Sequence, residues 1–418
     1  MFGKLRLSWC RMNLWFSSRV VKIVSCCFKG QPAGDCFWLL DVLLLLAGIR
    51  SESTLNWANE RKIRSIINCL YAYHSFVLIF QLYTSLSTKF DDTSLVVFDM
   101  VKVAVTLLSG MRILSIALLR EPIASLRNFV TSNRLNSGDA VFDELERRRF
   151  NKFSRAALLV IYGATVLDTI LLSVPNSSKD SVLELPPQLV STGKYASNTL
   201  YFLFVGLVGL SIIPKMFSAL SCSQVLLVGM RWKFKMLVHR YESIVNLRFL
   251  DVDDYYERIE CKVLEAVEQQ LEFWSYLQIL KDLVAKQFFL VHYFSVGAIG
   301  SMLYVSRDIG LNILSVAIFA STLVMMLEYF LWCHLVDSLE DVADSVGSRI
   351  FELCAKIPYS PKYRSRYRKL QASLMITWIV ARNGISMNCL GLFKISTIAF
   401  VGFVNTAYSV LMFLINMH

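Results

Sequence analysis

Residues 393–418 read FKISTIAFVGFVNTAYSVLMFLINMH, and from Phe393 to Ile415 they carry a single charge, Lys394, at the very start. A helix needs roughly 20 apolar residues to cross a bilayer, so this stretch is long enough. Yet Asn405, Thr406, Tyr408, Ser409 and Asn416 all sit in its second half. Asn405, Ser409, Met412 and Asn416 follow one another at steps of four, three and four, which makes one stripe on a helix. A wet pore and a helix–helix contact would both want such a stripe.

The rest of the chain has the same character. Of its 418 residues 55% are hydrophobic and 18% charged, with a mean hydropathy of +0.50. Soluble domains are about 45–50% apolar. The charges cluster between apolar runs, and the ten-residue alternation of a membrane β-barrel is absent. The expected fold is all-α and polytopic, with seven transmembrane helices near 65–86, 97–119, 156–174, 197–226, 284–306, 311–335 and 393–415. Ahead of them, CFWLLDVLLLLAGI at 36–49 is 14 residues long with Asp41 inside it. That length suits an interfacial or re-entrant helix. The first thirty residues are basic and broken, so no cleavable signal peptide is expected. No internal repeat or low-complexity tract is present.

Charge sets the orientation. Ten Lys/Arg precede residue 65, and eight more fall in each of 120–155, 231–281 and 336–382. The alternate loops hold only Lys89, Lys179, Lys194 and Arg307. By the positive-inside rule the N-terminus and the three basic loops are cytoplasmic and the C-terminus is extracellular. The net charge of +11 then matches anionic inner-leaflet lipid, with no nucleic acid implied. None of the ten cysteines lies in an outer loop, which argues against a disulfide framework. The sequon at Asn176, a candidate glycosylation site, falls in the second outer loop. A G-protein-coupled receptor has the opposite orientation, and the last span lacks that class's Asn-Pro-x-x-Tyr pattern.

The cytoplasmic segments carry structure of their own. Val252, Tyr255, Ile259, Val263, Val267, Leu271 and Trp274 form one apolar helix face that continues towards the fifth span. After the sixth span a helix should stop near Pro358 and Pro361. A second helix, beginning in the basic YRSRYRKLQASLMITWIVARN, should end near Gly384. Its apolar half is too short to span and needs covering, by other subunits or by the chain's own loops. The expected division is 1–64, a cytoplasmic segment with the short helix; 65–335, six spans with helical inner loops; 336–392, cytoplasmic anchor helices; and 393–418, the last helix.

Enzymatic signatures are missing. There is no Walker loop, dinucleotide fingerprint or Gly-x-Ser-x-Gly elbow, and the five histidines form no metal-ligand pair. No catalytic residue, cofactor or metal is expected. The ionisable residues inside spans are Asp99, Lys102, Arg112, Asp168, Lys215, Lys286 and Glu328. Lys102 and Asp168 stand out as functional candidates. Asp99, Arg112 and Lys215 are expected to reach cavities or the interface by small boundary shifts or snorkelling.

The order of these features resembles the insect odorant receptor family across most of the chain. The residues that carry it are EYFLWCHLVDSLEDVADSV after the sixth span, YRSRYRKLQASLMITWIVARNG as an intracellular helix, then Gly391, Phe393-Lys394-Ile395-Ser396 and Tyr408-Ser409. The resemblance implies a subunit of a ligand-gated, non-selective cation channel in the plasma membrane of olfactory neuron dendrites. It would assemble with the odorant receptor coreceptor as a heterotetramer, the last spans lining a central pore. The shorter second inner loop resembles a ligand-tuning subunit more than the coreceptor. Gustatory relatives carry Thr-Tyr, five apolar residues and Gln-Phe here, where this chain has Ala407, Tyr408, Leu414 and Ile415.

Aligning on Tyr408 places the family's hydrophobic gate at Leu411, Leu414 and Ile415, and Leu411 and Ile415 share a face rotated by roughly a quarter turn from the stripe of Asn405 and Ser409. An apolar constriction can close a pore by dewetting, while the polar face packs or wets it. The resemblance also implies a ligand pocket in the outer half of the bundle. Candidates there are Phe98, Val101, Val166, Thr169, Phe204, Val208, Phe319 and Leu323. Such side chains suit a small volatile odorant with one polar group. A secondary transporter would instead show repeated halves and paired midplane charges. A homomeric gustatory-type channel would work without the coreceptor.

Overall fold

The computed structural model describes residues 36–50, 60–88, 93–173, 183, 185–191, 193–247, 252–383 and 385–416. The architecture is all-α. In chain order the helices are α1 (Cys36–Leu46), α2 (Glu60–Thr88), α3 (Thr93–Leu118), α4 (Arg120–Thr131), α5 (Ala140–Ser173), α6 (Lys194–Val245), α7 (Val252–Asp308), α8 (Ile313–Lys356), α9 (Arg364–Asn383) and α10 (Thr397–Asn416). A single turn at Pro187–Val190 precedes α6. Among the described residues α2, α3, α6, α7, α8 and α10 are long and apolar enough to cross a membrane. The expected third span falls within α5, which runs to Ser173. The chain is a multi-pass membrane protein.

Three helices run far past their expected spans. With 52, 57 and 44 residues, α6, α7 and α8 would measure about 78, 85 and 66 Å, against a hydrocarbon core of about 30 Å. The surplus lies at the basic end, where apolar periodicity outlasts the loss of hydropathy. There Phe234 of α6 stacks on Phe273 of α7 at 4.6 Å, and the Tyr241 hydroxyl donates to Gln270 Oε1 at 2.7 Å.

The last helix starts later than the sequence predicts. Phe393 and Lys394 belong to a two-residue strand, β2, paired antiparallel with β1 (Asn388–Cys389). Leu390 and Gly391 turn the hairpin with φ of 47° and 79°, a conformation that glycine takes without strain. The hairpin is held to α8, where Glu340 accepts from the Met387 amide at 3.2 Å and pairs with Lys394 at 2.6 Å. That carboxylate raises the Lys394 pKa above its ordinary value.

Inside the bundle several polar groups bond to one another, which a membrane interior favours. On α2, the Tyr71 hydroxyl donates to the Thr106 carbonyl, the Tyr73 hydroxyl to the Leu200 carbonyl, and Ser85 to Asp99. Lys215 of α6 donates to the Ala47 carbonyl at 2.6 Å and to Asn68 Oδ1 at 3.0 Å, closing the C-terminal end of α1. At Gly48, φ is +79° and a Cβ would lie 2.3 Å from Asn68 Oδ1, so the turn requires glycine. Arg112 and Lys215 therefore do not snorkel to the interface. Both are fully buried, because helices from distant parts of the chain bring them partners.

Arg112 of α3 is the centre of this arrangement. Its Nη1 lies 2.7 Å from Glu328 Oε1 of α8 and also donates to the Met216 carbonyl of α6, so one guanidinium joins three spans. Removing one partner of a buried ion pair leaves an uncompensated charge and costs roughly 3–5 kcal/mol, whereas replacing both by apolar residues is often close to neutral. Glu328→Met should therefore markedly lower the thermal unfolding midpoint of the purified protein. Arg112→Met/Glu328→Met should recover most of the loss. Single losses that simply add in the double variant would contradict the pairing.

Candidate functional site

The last helix is anchored at its base. Ser396 precedes α10 and its Oγ accepts from the Ala399 amide at 3.3 Å, an N-cap contact. A second acceptor comes from α8, where Asp337 Oδ2 takes the Thr397 amide at 2.8 Å. A carboxylate at this end is favoured by the helix dipole. One turn higher, Phe403 stacks on Tyr329 at 3.9 Å, and Phe400 meets Phe330 edge-on at 5.5 Å. On the α7 side the helices approach at Gly300, where a Cβ would come within 2.6 Å of Val410 Cγ1 and 3.0 Å of the Ala407 carbonyl. Any larger residue at 300 would push α10 away from its bundle.

These contacts use one face of α10. Only Phe403 and Ala407 are buried, and Phe400, Leu411, Leu414 and Ile415 pack half-buried beside them. The three candidate gate residues thus lean towards their own subunit. Asn405, Ser409, Met412 and Asn416 are exposed on the other side. The Ser409 hydroxyl donates to the Asn405 carbonyl at 2.9 Å and the Thr406 hydroxyl to the Gly402 carbonyl at 2.9 Å, both within the helix. Among the described residues, therefore, the polar stripe does not serve packing within the chain.

Glu328 and Tyr329, adjacent on α8, face different partners because successive helical residues diverge by about 100°. Glu328 meets Arg112 of α3. The Tyr329 hydroxyl lies 2.8 Å from His292 Nδ1 of α7, and its ring lies against Phe403. Two neighbouring residues thus connect the helices that carry the buried ligand candidates with those that hold α10.

The ligand candidates separate by environment. Phe98 and Val101 of α3 and Phe204 of α6 are buried, and Val208 is half-buried. Lys102 Nζ sits 5.1 Å from the Phe98 ring centre, 2.5 Å from Asp99 Oδ1 and 3.1 Å from Gln81 Oε1. The Phe204 ring stacks at 5.9 Å on His74, whose Nε2 is 3.2 Å from the Phe204 carbonyl and whose Nδ1 is 3.0 Å from Ser211 Oγ. Val166, Phe319 and Leu323 are exposed on the outside of the bundle, apart from the buried group. Thr169 and Asp168 lie in α5, with their side chains outside the described set, and Asn176 is outside the described residues.

Polar residues of α2 join the buried candidates and were not among them. Asn68, Tyr71, His74, Gln81 and Ser85 fall on one helical face and turn it towards α3 and α6. That spacing was present in the sequence, where the mixture of residue types hid it.

No family model matches the chain, and no curated protein is similar to it in sequence. Solved structures do share its fold. The insect olfactory receptor OR5 from Machilis hrabei superposes with a TM-score of 0.69 at 10% identity, over 91% of this chain and 97% of that one. The same receptor in complex with eugenol gives a TM-score of 0.69 at 11% identity, over 91% and 98%. The chain is a polytopic helical membrane protein that shares the fold of that insect olfactory receptor.

Proposed function

We propose that the chain is an odorant receptor subunit of a ligand-gated, non-selective cation channel. It pairs with an odorant receptor coreceptor, as a heterotetramer in the plasma membrane, with its basic end in the cytoplasm. The observation that carries this reading is the exposed polar stripe on α10. A membrane helix that turns Asn405, Ser409 and Asn416 away from its own bundle needs water or another subunit on that side, since lipid solvates neither amides nor hydroxyls. A central pore offers both. The likeness to an olfactory receptor fold supports it, as do the exposed Ile376 and Ile379 of α9 and Leu390 and Leu392 of the hairpin at the basic end. Those residues form the surface that other subunits cover in the proposed anchor.

In this reading a volatile of one polar group enters among the buried candidates Phe98, Val101, Phe204 and Val208, with His74 and Lys102 as polar neighbours. The structural neighbour was solved in complex with eugenol, a small aromatic phenol, which is a ligand of comparable size and polarity. Thr169, Val166, Phe319 and Leu323 stay in the proposal as sequence candidates, and the exposed Val166, Phe319 and Leu323 need a neighbouring subunit to cover them. The Glu328–Tyr329 step passes the ligand's effect to α10, whose Leu411, Leu414 and Ile415 constrict the pore. Asn176 is the proposed glycosylation acceptor.

Whole-cell recording tests the reading. A panel of volatiles should evoke cation current when this chain and a coreceptor are expressed together, and none from this chain alone. Current from this chain alone would make it a homomeric channel instead, and silence of both with surface expression confirmed would count against the reading. The coupling step has its own test. Tyr329→Phe keeps the ring against Phe403 and removes the bond to His292, so the half-maximal volatile concentration should move roughly two- to tenfold, the equivalent of one hydrogen bond. An unchanged dose–response curve would remove Tyr329 from the coupling.

A further inference from the structure

The segment IPYSPKY at 357–363 joins α8 to α9, and Tyr256 of α7 holds it at both ends. The Tyr256 hydroxyl donates to the Pro358 carbonyl, and its ring stacks on Tyr363 at 5.0 Å. Ile357, just before, is buried. Between these fixed points Tyr359, Pro361 and Lys362 are exposed and Ser360 is half-buried. Ser360 has extended backbone, with φ of −130° and ψ of 127°, and its hydroxyl makes no bond to the turn that follows, Pro361–Tyr363. The Tyr363 amide donates to the Ser360 carbonyl at 3.1 Å across that turn.

A serine displayed in extended backbone and followed directly by proline has the form that a proline-directed kinase takes as substrate. We propose that Ser360 is a phosphorylation site for a soluble proline-directed serine/threonine kinase, and that Arg364 pairs with the resulting phosphate. The proposal rests on the orientation given above, which puts the basic end in the cytoplasm. In the step itself the bond from the γ-phosphorus of ATP to the bridging oxygen breaks and a phosphorus–Oγ bond forms at Ser360. ADP leaves, and the hydroxyl proton passes to the kinase. Charge and position both suit the product. From residue 356 to 369 the chain carries six Lys/Arg and no acid. Lys356 pairs with Glu352 at 2.8 Å and Arg366 lies 4.0 Å from Glu260 of α7, while Arg364 follows Ser360 by four residues and is exposed. Residues 336–356 carry α8 about 30 Å past its expected span, several times the Debye length of about 8 Å, so an acidic membrane surface is screened here. A phosphoserine brings close to two negative charges and three acceptor oxygens, two of which one guanidinium can take together. The modified corner then restrains the first turn of α9, the helix that leads through the hairpin to α10.

The test uses the full-length protein purified in detergent, where membrane orientation plays no part, with a purified proline-directed kinase and ATP. Phosphopeptide mass spectrometry should identify Ser360 as the modified residue. Ser360→Ala should lose the label and Pro361→Ala most of it, whereas Ser365→Ala, exposed in the first turn of α9, should keep it. In the phosphorylated protein the phosphorus resonance should titrate roughly half a pH unit below the usual second pKa of about 6, and Arg364→Gln should restore the usual value. Label that persists in Ser360→Ala, or that survives Pro361→Ala undiminished, would overturn the assignment, and an unshifted titration would overturn the pairing with Arg364. Label on Ser360 in detergent, with none in intact cells that express the kinase in their cytoplasm, would contradict the orientation rather than the site.

Discussion

Hydrocarbon gives a polar group nothing to bond to, and the bundle is organised around that constraint. Arg112, more than a hundred residues from Met216 and over two hundred from Glu328, is bonded to both. The three helices cannot separate without exposing a charge to lipid, which makes α3, α6 and α8 a fixed unit. Because Glu328 is fixed there, the orientation of α8 is fixed too, and Tyr329 must present itself to α7 and α10. The placement of the last helix follows from an ion pair that does not touch it.

Against this unit α10 is held by few contacts: a carboxylate cap from Asp337, the Tyr329 ring on Phe403, and the close approach at Gly300. Its remaining surface is exposed, mixing Ile398, Val401 and Phe413 with the stripe of Asn405 and Ser409. A helix attached firmly at its base and lightly above suits a moving part. In the proposed channel the half-buried Leu411, Leu414 and Ile415 form the constriction, and a rotation of α10 by a quarter turn or more exchanges that apolar face for the polar one at the axis. Wetting of the pore then follows from which face is presented.

Much of this was legible beforehand, for physical reasons. Length and hydropathy mark a span because lipid tolerates few charges. Pro358 and Pro361 stop α8 because proline cannot continue a helix, and Lys356 is its last residue. The hairpin at 388–394 was not legible, because apolar Phe393 and Ile395 read as part of a span. What sets them apart is Glu340, distant in sequence, drawing Lys394 to α8. For the same reason Arg112 was expected at an interface when it is buried. Its partner is visible only once the helices are packed. The exposed polar stripe was evident as a pattern, but its direction needed the bundle.

The central claim is that the polar stripe of α10 faces the ion path. Single cysteines placed along α10 in the channel formed with a coreceptor, and exposed to a charged water-soluble thiol reagent during volatile-evoked current, test it most directly. Modification at Asn405→Cys and Ser409→Cys should alter the current, and more strongly while the channel is open, whereas Ala407→Cys and Val410→Cys, on the opposite face of the helix, should be silent. Silence at 405 and 409 together with modification at 407 and 410 would place the ion path on the other side of the helix and contradict the account.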